Sequence, residues 1–345
     1  MLLIRADATV RMGTGHVMRC LALAQAWREL NGDVLFVAAQ ITPGLQSRLN
    51  EEGFAFRLIH AEAGTEQDAD ALTVLASPGS WVVVDGYQFT ETYQVQLKQA
   101  GLSVLFVDDY GHCVRYVADL VLNQNLGASE VWYSARAEST RLLLGPGYAL
   151  LREEFLRWAF AERMISEQAK NILITLGGSD PDNVSLSILK AIDQIRASEL
   201  TLRLIVGGSN PHGQLLSDAA EHSPHQVEIL QNVTDMAEQM MWADLAVCAG
   251  GSSNWEMSFL GLPRMVCVLA ENQRRIADEL HRSGAAVRFC LTDLCATSEF
   301  IDQLCSLIQS PEKRRLLSEK SQQLVDGQGA KRVCDMMRNW PGGVR

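Results

Sequence analysis

Arg11-Met12-Gly13-Thr14-Gly15-His16 and Gly250-Gly251-Ser252-Ser253-Asn254 are the two stretches whose reading decides the fold. The first follows the apolar run Leu2-Leu3-Ile4, the second follows Leu245-Ala246-Val247-Cys248, and a helical segment opens after each. Strand, glycine-rich turn and helix in that order make the nucleotide-binding βα unit of a doubly wound parallel sheet. Free amides at the helix N-terminus, with the positive end of its dipole behind them, suit an anionic group such as a diphosphate. Arg11, Gly13 and Gly15 are therefore substrate-binding candidates in the first turn. Gly251, Ser252, Ser253 and Asn254 are their counterparts in the second. His16 gives the first turn a titratable side chain that the second lacks, so the second half is expected to hold phosphates while His16 does the chemistry.

Outward from these turns, short β-rich runs alternate with helical spacing. They are Val34–Ala38, Phe56–Ile59, Trp81–Val84, Val104–Val107, Leu120–Leu122 and Leu142–Leu144. After a charged stretch, Arg152–Lys170, expected to be mainly helical, the pattern restarts. Its second set is Asn171–Leu176, Leu202–Val206, Val227–Leu230, Leu245–Cys248, Met265–Leu269 and Val287–Cys290. The alternation predicts an α/β chain of two Rossmann-like, doubly wound parallel-sheet domains facing a central cleft. The expected division is a domain over 1–150, a linker over 151–170 and a second domain over 171–345, ending in two closing helices after Pro311. Ligands in such sheets lie beyond the carboxyl ends of the strands, which directs attention to residues just after strands.

Bulk properties remove several classes of function. With 41 acidic against 30 basic residues the net charge is -11, which argues against nucleic acid or an anionic membrane surface as partner. No apolar run approaches ~18 residues, so no membrane insertion is expected. The N-terminus, with Arg5 and Asp7, does not read as a signal peptide. Eight cysteines without a CxxC pair read as free thiols in a reducing, cytoplasmic setting. No cofactor or metal is expected, and oligomeric state is left open.

His16 would stand at the start of a helix whose inner face is Val17, Cys20, Leu21, Ala24 and Trp27. A helix N-terminus disfavours imidazolium, which would leave a neutral ring able to take a proton; the plain alternative is a capping or packed side chain. Asp85 and Tyr87 end one strand and Asp108-Asp109 another. Their carboxylates can orient a histidine or a sugar hydroxyl, or merely cap and face solvent, and Tyr87 can hold a sugar or phosphate oxygen, or pack. Glu256 can accept from ribose hydroxyls or complement the helix dipole. Gly178 and Ser179 belong to a third strand-end turn, in which Ser179 or Asp180 can also be a helix cap followed by Pro181. His222 and His225 read as a surface loop rather than a metal site.

Other nucleotide and hydrolase signatures fit poorly. A dinucleotide site would need a small residue at Met18 and an acidic residue near Gln40. Neither glycine-rich turn ends in the Lys-Ser or Lys-Thr of a P-loop, and Asn254 replaces the last glycine of a serine-hydrolase elbow.

Residues 230–263, from Leu-Gln-Asn-Val-Thr-Asp-Met to Gly-Leu-Pro, resemble the donor-nucleotide domain of UDP-sugar glycosyltransferases of the MurG type, which have the GT-B architecture. The resemblance implies that the Val233 backbone meets uracil with Met236 nearby. It also places Ser252 and Ser253 at the diphosphate, Glu256 at the ribose, and Asn272 with Gln273 at the sugar. In the first half, Arg5-Ala6-Asp7, Gly13 to Cys20, Val84-Asp85-Gly86-Tyr87, Asp108-Asp109, Asn123-Gln124-Asn125 and Gly145 to Arg152, together with Leu176 to Asp180, are similar to the PseG family. Those enzymes are UDP-2,4-diacetamido-2,4,6-trideoxy-β-L-altropyranose hydrolases of pseudaminic acid synthesis, and the similarity covers most of residues 1–290. It implies His16 as general base, Tyr87 as an active-site residue, and a UDP-sugar as substrate. The expected reaction is attack of water on the anomeric carbon with inversion, releasing UDP. A glycosyltransferase with the same nucleotide site, or a nucleotide-sugar binder without catalysis, are the alternatives.

Overall fold

The computed structural model describes residues 1–9, 12–77, 79–178, 180–196, 199–208, 210–290 and 294–341. The chain opens with β1 (Leu2–Ala6), α1 (Gly15–Glu29), β2 (Val34–Ala38), α2 (Pro43–Glu51), β3 (Ala55–Leu58) and α3 (Glu66–Leu75). It continues through β4 (Trp81–Asp85), α4 (Glu91–Gln99), β5 (Ser103–Val107), β6 (Leu120–Asn123), β7 (Arg141–Leu144) and the single turn α5 (Glu153–Leu156). The second series is β8 (Asn171–Thr175), α6 (Val184–Ile192), β9 (Thr201–Val206), α7 (Gly213–His222), β10 (Gln226–Gln231) and α8 (Met236–Trp242). Then come β11 (Leu245–Ala249), α9 (Ser253–Phe259), β12 (Arg264–Cys267), α10 (Glu271–Arg282), β13 (Val287–Phe289), α11 (Leu294–Gln309), α12 (Pro311–Gln322) and α13 (Gly329–Arg338).

Two parallel sheets result, ordered β3-β2-β1-β4-β5-β6-β7 and β10-β9-β8-β11-β12-β13. Their central strands are buried along their whole length, as in Leu2–Ala6, Trp81–Asp85 and Leu245–Ala249. Strands covered on both faces need near-continuous apolar runs, and those runs are what the sequence displays. In each sheet the strand order reverses between two neighbours, β1 and β4 in the first, β8 and β11 in the second. The loops leaving those four strands flank the crevices where doubly wound sheets bind ligands.

The chain forms two compact units, Met1–Glu153 with Gly327–Arg345, and Glu154–Asp326. The last helix thus departs from the expected boundary at 345: α13 packs in the first unit. Its Val333, Cys334 and Met337 share a core with Leu21, Ala22 and Leu23 of α1. The indole Nε1 of Trp81 donates to the Met337 carbonyl at 3.1 Å. The helix opens on Gly329, where a Cβ would lie 2.2 Å from the Ala149 carbonyl oxygen, so the close approach of the two backbones requires glycine. Covered by the sheet on one side and α13 on the other, α1 is buried well beyond the single inner face expected of it, Arg19 and Gln25 included.

The stretch Arg152–Lys170 also differs from expectation, since only Glu153–Leu156 is helical. Its apolar residues share no face: Phe155 is buried, whereas Phe160 and Met164 are exposed. Arg163 instead donates to the carbonyls of Met240, Ala243 and Leu260 at 2.7, 2.7 and 2.8 Å. These are carbonyls at the ends of α8 and α9 that have no acceptor role within their helices. Among the described residues, no helix is long and apolar enough to cross a membrane.

Candidate active site

The first site is built where β1 and β4 diverge. Thr9 closes the turn after β1 by accepting from the Gly13 amide at 2.9 Å and, through Oγ1, from the Met12 amide at 3.0 Å. Gly13 takes φ +78°, a left-handed conformation that disfavours other residues, and α1 starts two residues later. His16 therefore stands in the first turn of α1. Asp85, the last residue of β4, pairs in register with Ala6 of β1 and Val107 of β5, at the centre of the sheet.

His16 Nδ1 lies 2.6 Å from Asp85 Oδ1. One helical turn on, Arg19 donates to Asp85 from Nε at 2.6 Å and Nη2 at 2.7 Å, and to Asp109 from Nη1 at 2.7 Å. The second neighbour of His16 Nδ1 is Arg19 Nη2 at 3.2 Å, itself a donor already engaged by both carboxylates. The proton on Nδ1 thus belongs to the bond with Asp85, and in the neutral ring Nε2 is then the acceptor nitrogen. Burial opposes ionisation of Asp85, but Arg19 and His16 outweigh it and hold the carboxyl well below its usual range. Tyr87 donates its hydroxyl to Asp109 Oδ2 at 2.8 Å and sets its ring edge-on to His16, with centroids 5.2 Å apart. His16, Asp85 and Tyr87, the three catalytic candidates, are thus neighbours.

A second layer supports them. His112 faces Asp108 Oδ1 at 2.9 Å through Nδ1 and the Phe89 carbonyl at 3.1 Å through Nε2. Both partners accept, so both ring nitrogens carry protons. Burial disfavours that charge, yet the bond to Asp108 overrides it and pushes His112 up to about 10. Burial likewise opposes the Asp108 charge, and the His112 and Tyr116 bonds bring it down to about 2. The Tyr87 ring packs on Tyr110 and His112, with centroids 5.3 and 5.8 Å away. Asp108 and Asp109 are therefore neither simple caps nor solvent-facing.

The second site lies where β8 and β11 diverge. The Gly250 amide goes to the Cys267 carbonyl, and those of Asn254 and Trp255 go to Gly251 and Ser252. Among the described residues this leaves the amides of Gly251, Ser252 and Ser253 without a backbone acceptor. Ser252 holds the N-cap position of α9 without a capping bond from its side chain. A Cβ on Gly251 would meet nothing within 4 Å, so the turn has open space over it.

Two residues expected to meet substrate serve the turn itself. Asn254 is fully buried and donates to the carbonyls of Ala249 and Gly251 at 2.8 and 2.9 Å. Its Oδ1 accepts from Arg264 at 2.8 Å. The inward face of α9 takes Asn254 into the core, where two strand-end carbonyls need donors, so its side chain does not face a diphosphate. Gln273 Oε1 accepts from the amides of Gly250 and Leu269 at 3.3 and 3.1 Å, pinning the turn to α10. Arg264 is buried with neutral partners, Asn254, Leu262, Ser258 and Ser321, and burial pushes it down to about 10 with Cys248 as counterweight.

Val233 and Met236 lie where β10 leads into α8, whose N-cap Asp235 accepts from the Glu238 amide at 3.0 Å. Glu256 is partly exposed in the first turn of α9. Gly178 leaves β8 against Gly207, and Asp180 caps α6 by accepting from the amides of Val184 and Ser185 at 2.8 and 3.0 Å. The helix begins at Val184 rather than at Pro181. Arg11, Ser179 and the side chain of Asn272 lie outside the described residues. His225 is buried rather than on the surface, with Nε2 on the Ile192 carbonyl at 3.1 Å. No group of three His, Cys, Asp or Glu that could hold a metal occurs among the described residues.

Arg19 and His112 were not among the candidates. Arg19 had two signals, its position three residues after His16 on the same helix face and its place within the Gly13 to Cys20 stretch.

Residues 171–335 match the glycosyltransferase family 28 C-terminal domain. The chain is 26% identical over 349 residues to the spore coat polysaccharide biosynthesis protein SpsG of Bacillus subtilis (strain 168), covering 97% of each. It is 22% identical over 293 residues to the UDP-2,4-diacetamido-2,4,6-trideoxy-beta-L-altropyranose hydrolase of Campylobacter jejuni, covering 83% of this chain and 98% of that protein. The crystal structure of Acinetobacter baumannii MurG superposes with a TM-score of 0.66 at 18% identity, covering 98% of both chains. The fold is GT-B, with two Rossmann-like parallel-sheet domains, and the family 28 match covers most of the second unit and runs on into α13.

Proposed function

We propose that this protein hydrolyses a UDP-linked 2,4-diacetamido-2,4,6-trideoxy sugar at its anomeric carbon. The observation that carries the reading is the His16–Asp85 pair, which leaves His16 Nε2 as an acceptor at the carboxyl edge of the sheet. In the reaction, a water oxygen bonds to C1 as its proton passes to Nε2. The bond from C1 to the diphosphate oxygen breaks, and its electron pair leaves with UDP. A single displacement inverts the anomeric centre. Nucleoside diphosphate is a good leaving group, so the main demand is stabilisation of charge developing on the β-phosphate. The amides of Gly251, Ser252 and Ser253 are fixed dipoles suited to it.

Water as acceptor is supported by the likeness to a named UDP-sugar hydrolase, which covers 83% of this chain, whereas the family 28 match is confined to 171–335. That match favours the second reading, transfer of the sugar to an acceptor hydroxyl. Release of UDP from a panel of UDP-sugars in buffer without acceptor separates the two. Turnover of the diacetamido-trideoxy sugar is expected. Turnover only after an acceptor is added, or binding of every UDP-sugar with no turnover, overturns the proposal.

A further inference from the structure

We propose that Arg19 sets the base strength of His16 by neutralising Asp85, so that the carboxylate orients the ring without holding a second proton on it. The inference concerns the same site as the function proposed above, and its kinetic test rests on that reading. A buried carboxylate 2.6 Å from an imidazole stabilises the imidazolium, which cannot accept a proton from water. Here Asp85 is shared. Its Oδ1 takes both His16 and Arg19 Nη2, and its Oδ2 takes Arg19 Nε and the Cys20 thiol at 3.4 Å.

The fork of Arg19 is what makes this division possible. One edge meets Asp85 and the other meets Asp109, a geometry open to a planar guanidinium and closed to a single ammonium. Asp109 is in turn fixed by the Tyr87 hydroxyl at 2.8 Å and by Asn125 Nδ2 at 3.0 Å. The groups around the ring are then Arg19 and Cys20 from α1, Asp85 and Tyr87 from β4 and its loop, and Asp109 from the loop after β5. Beyond Tyr87 lie Tyr110 and the His112–Asp108 pair. With Arg19 present, two carboxylates and one guanidinium leave one negative charge at the ring. Without it there would be two.

The test is an NMR titration of the His16 ring, assigned by its loss in His16→Gln, alongside the pH profile of UDP release. In Arg19→Gln, which keeps a donor and removes the charge, the titration should move up by about one pH unit or more. The acid limb should move with it, and the rate should recover at higher pH. Arg19→Lys, which keeps the charge, should return the titration, and the acid limb with it, toward those of the natural protein. If Arg19→Gln does not fold, Asp109→Asn decides, because Arg19 then serves Asp85 alone and the titration should move down. A folded Arg19→Gln whose ring titrates at or below the natural pH, or an unmoved Asp109→Asn, overturns the inference. Shifted titrations in a protein that hydrolyses no UDP-sugar would uphold it and reject the hydrolase reading instead.

Discussion

The turn after β1 and the turn after β11 each border the reversal point of their sheet, from strands on opposite sides of it, and are built from opposite materials. Around the first, His16, Asp85, Arg19 and Asp109 form a charged network whose members can exchange or hold a proton. Around the second, Gly251, Ser252 and Ser253 present amides and hydroxyls, and the side chains that brace them, Asn254 and Gln273, are neutral. The Arg264 charge is sealed beneath Asn254. The difference teaches that one βα scaffold supports two kinds of electrostatics: a titrating group that responds to pH and fixed dipoles that do not. If that division is right, turnover and pH dependence reside at the first turn and nucleotide affinity at the second.

The severest way to break the comparison is His16→Gln. It should lower UDP release by about 10²–10⁴ while UDP affinity by calorimetry stays unchanged; a parallel loss of affinity would show that the turns do not divide the work. Next in size is Ser253→Asp, which places a negative charge where the diphosphate is expected. UDP affinity should fall by about 10²-fold, with the shape of the pH profile preserved. A bent or shifted profile would put titration at the second turn.

Smaller effects sharpen the contrast in how the turns are braced. Asn254→Ala leaves Arg264 and two carbonyls short of partners inside the second unit, and should cost about 1–3 kcal/mol in chemical denaturation. A neutral outcome would mean that water replaces the amide. The first unit should show its charged bracing as pH dependence. His112, raised to about 10 when folded, contributes stability that is complete below its ordinary value of ~6.5 and is lost as pH rises through about 10. Denaturation midpoints should decline over that window, by at most about 1.4 kcal/mol per pH unit for one proton, and His112→Gln should flatten the decline.

Among the described residues the central strands were legible because buried parallel strands require apolar runs, whereas the exposed edge strands β3 and β10 were legible from their β-rich runs between helical segments. What stayed hidden depended on partners far away in the chain. Arg19 meets Asp85 and Asp109 across 66 and 90 residues, and an arginine in a helix reads equally well as solvent-facing. The position of α13 turned on Ala22 and Leu23, which carry α1's apolar surface beyond the face first assigned to it. Asn254 shows a different limit. An amide suits a phosphate and a strand-end carbonyl alike, and only its burial decides between them.

The account stands most directly on where the substrate bond breaks and what breaks it. Hydrolysis of the UDP-sugar in ¹⁸O-water, followed by mass spectrometry of both products under conditions of limited anomeric exchange, reads this at once. The account predicts label in the anomeric hydroxyl of the sugar and none in UDP. Label in the β-phosphate of UDP would mean attack at phosphorus, and would contradict a His16 that delivers water to carbon.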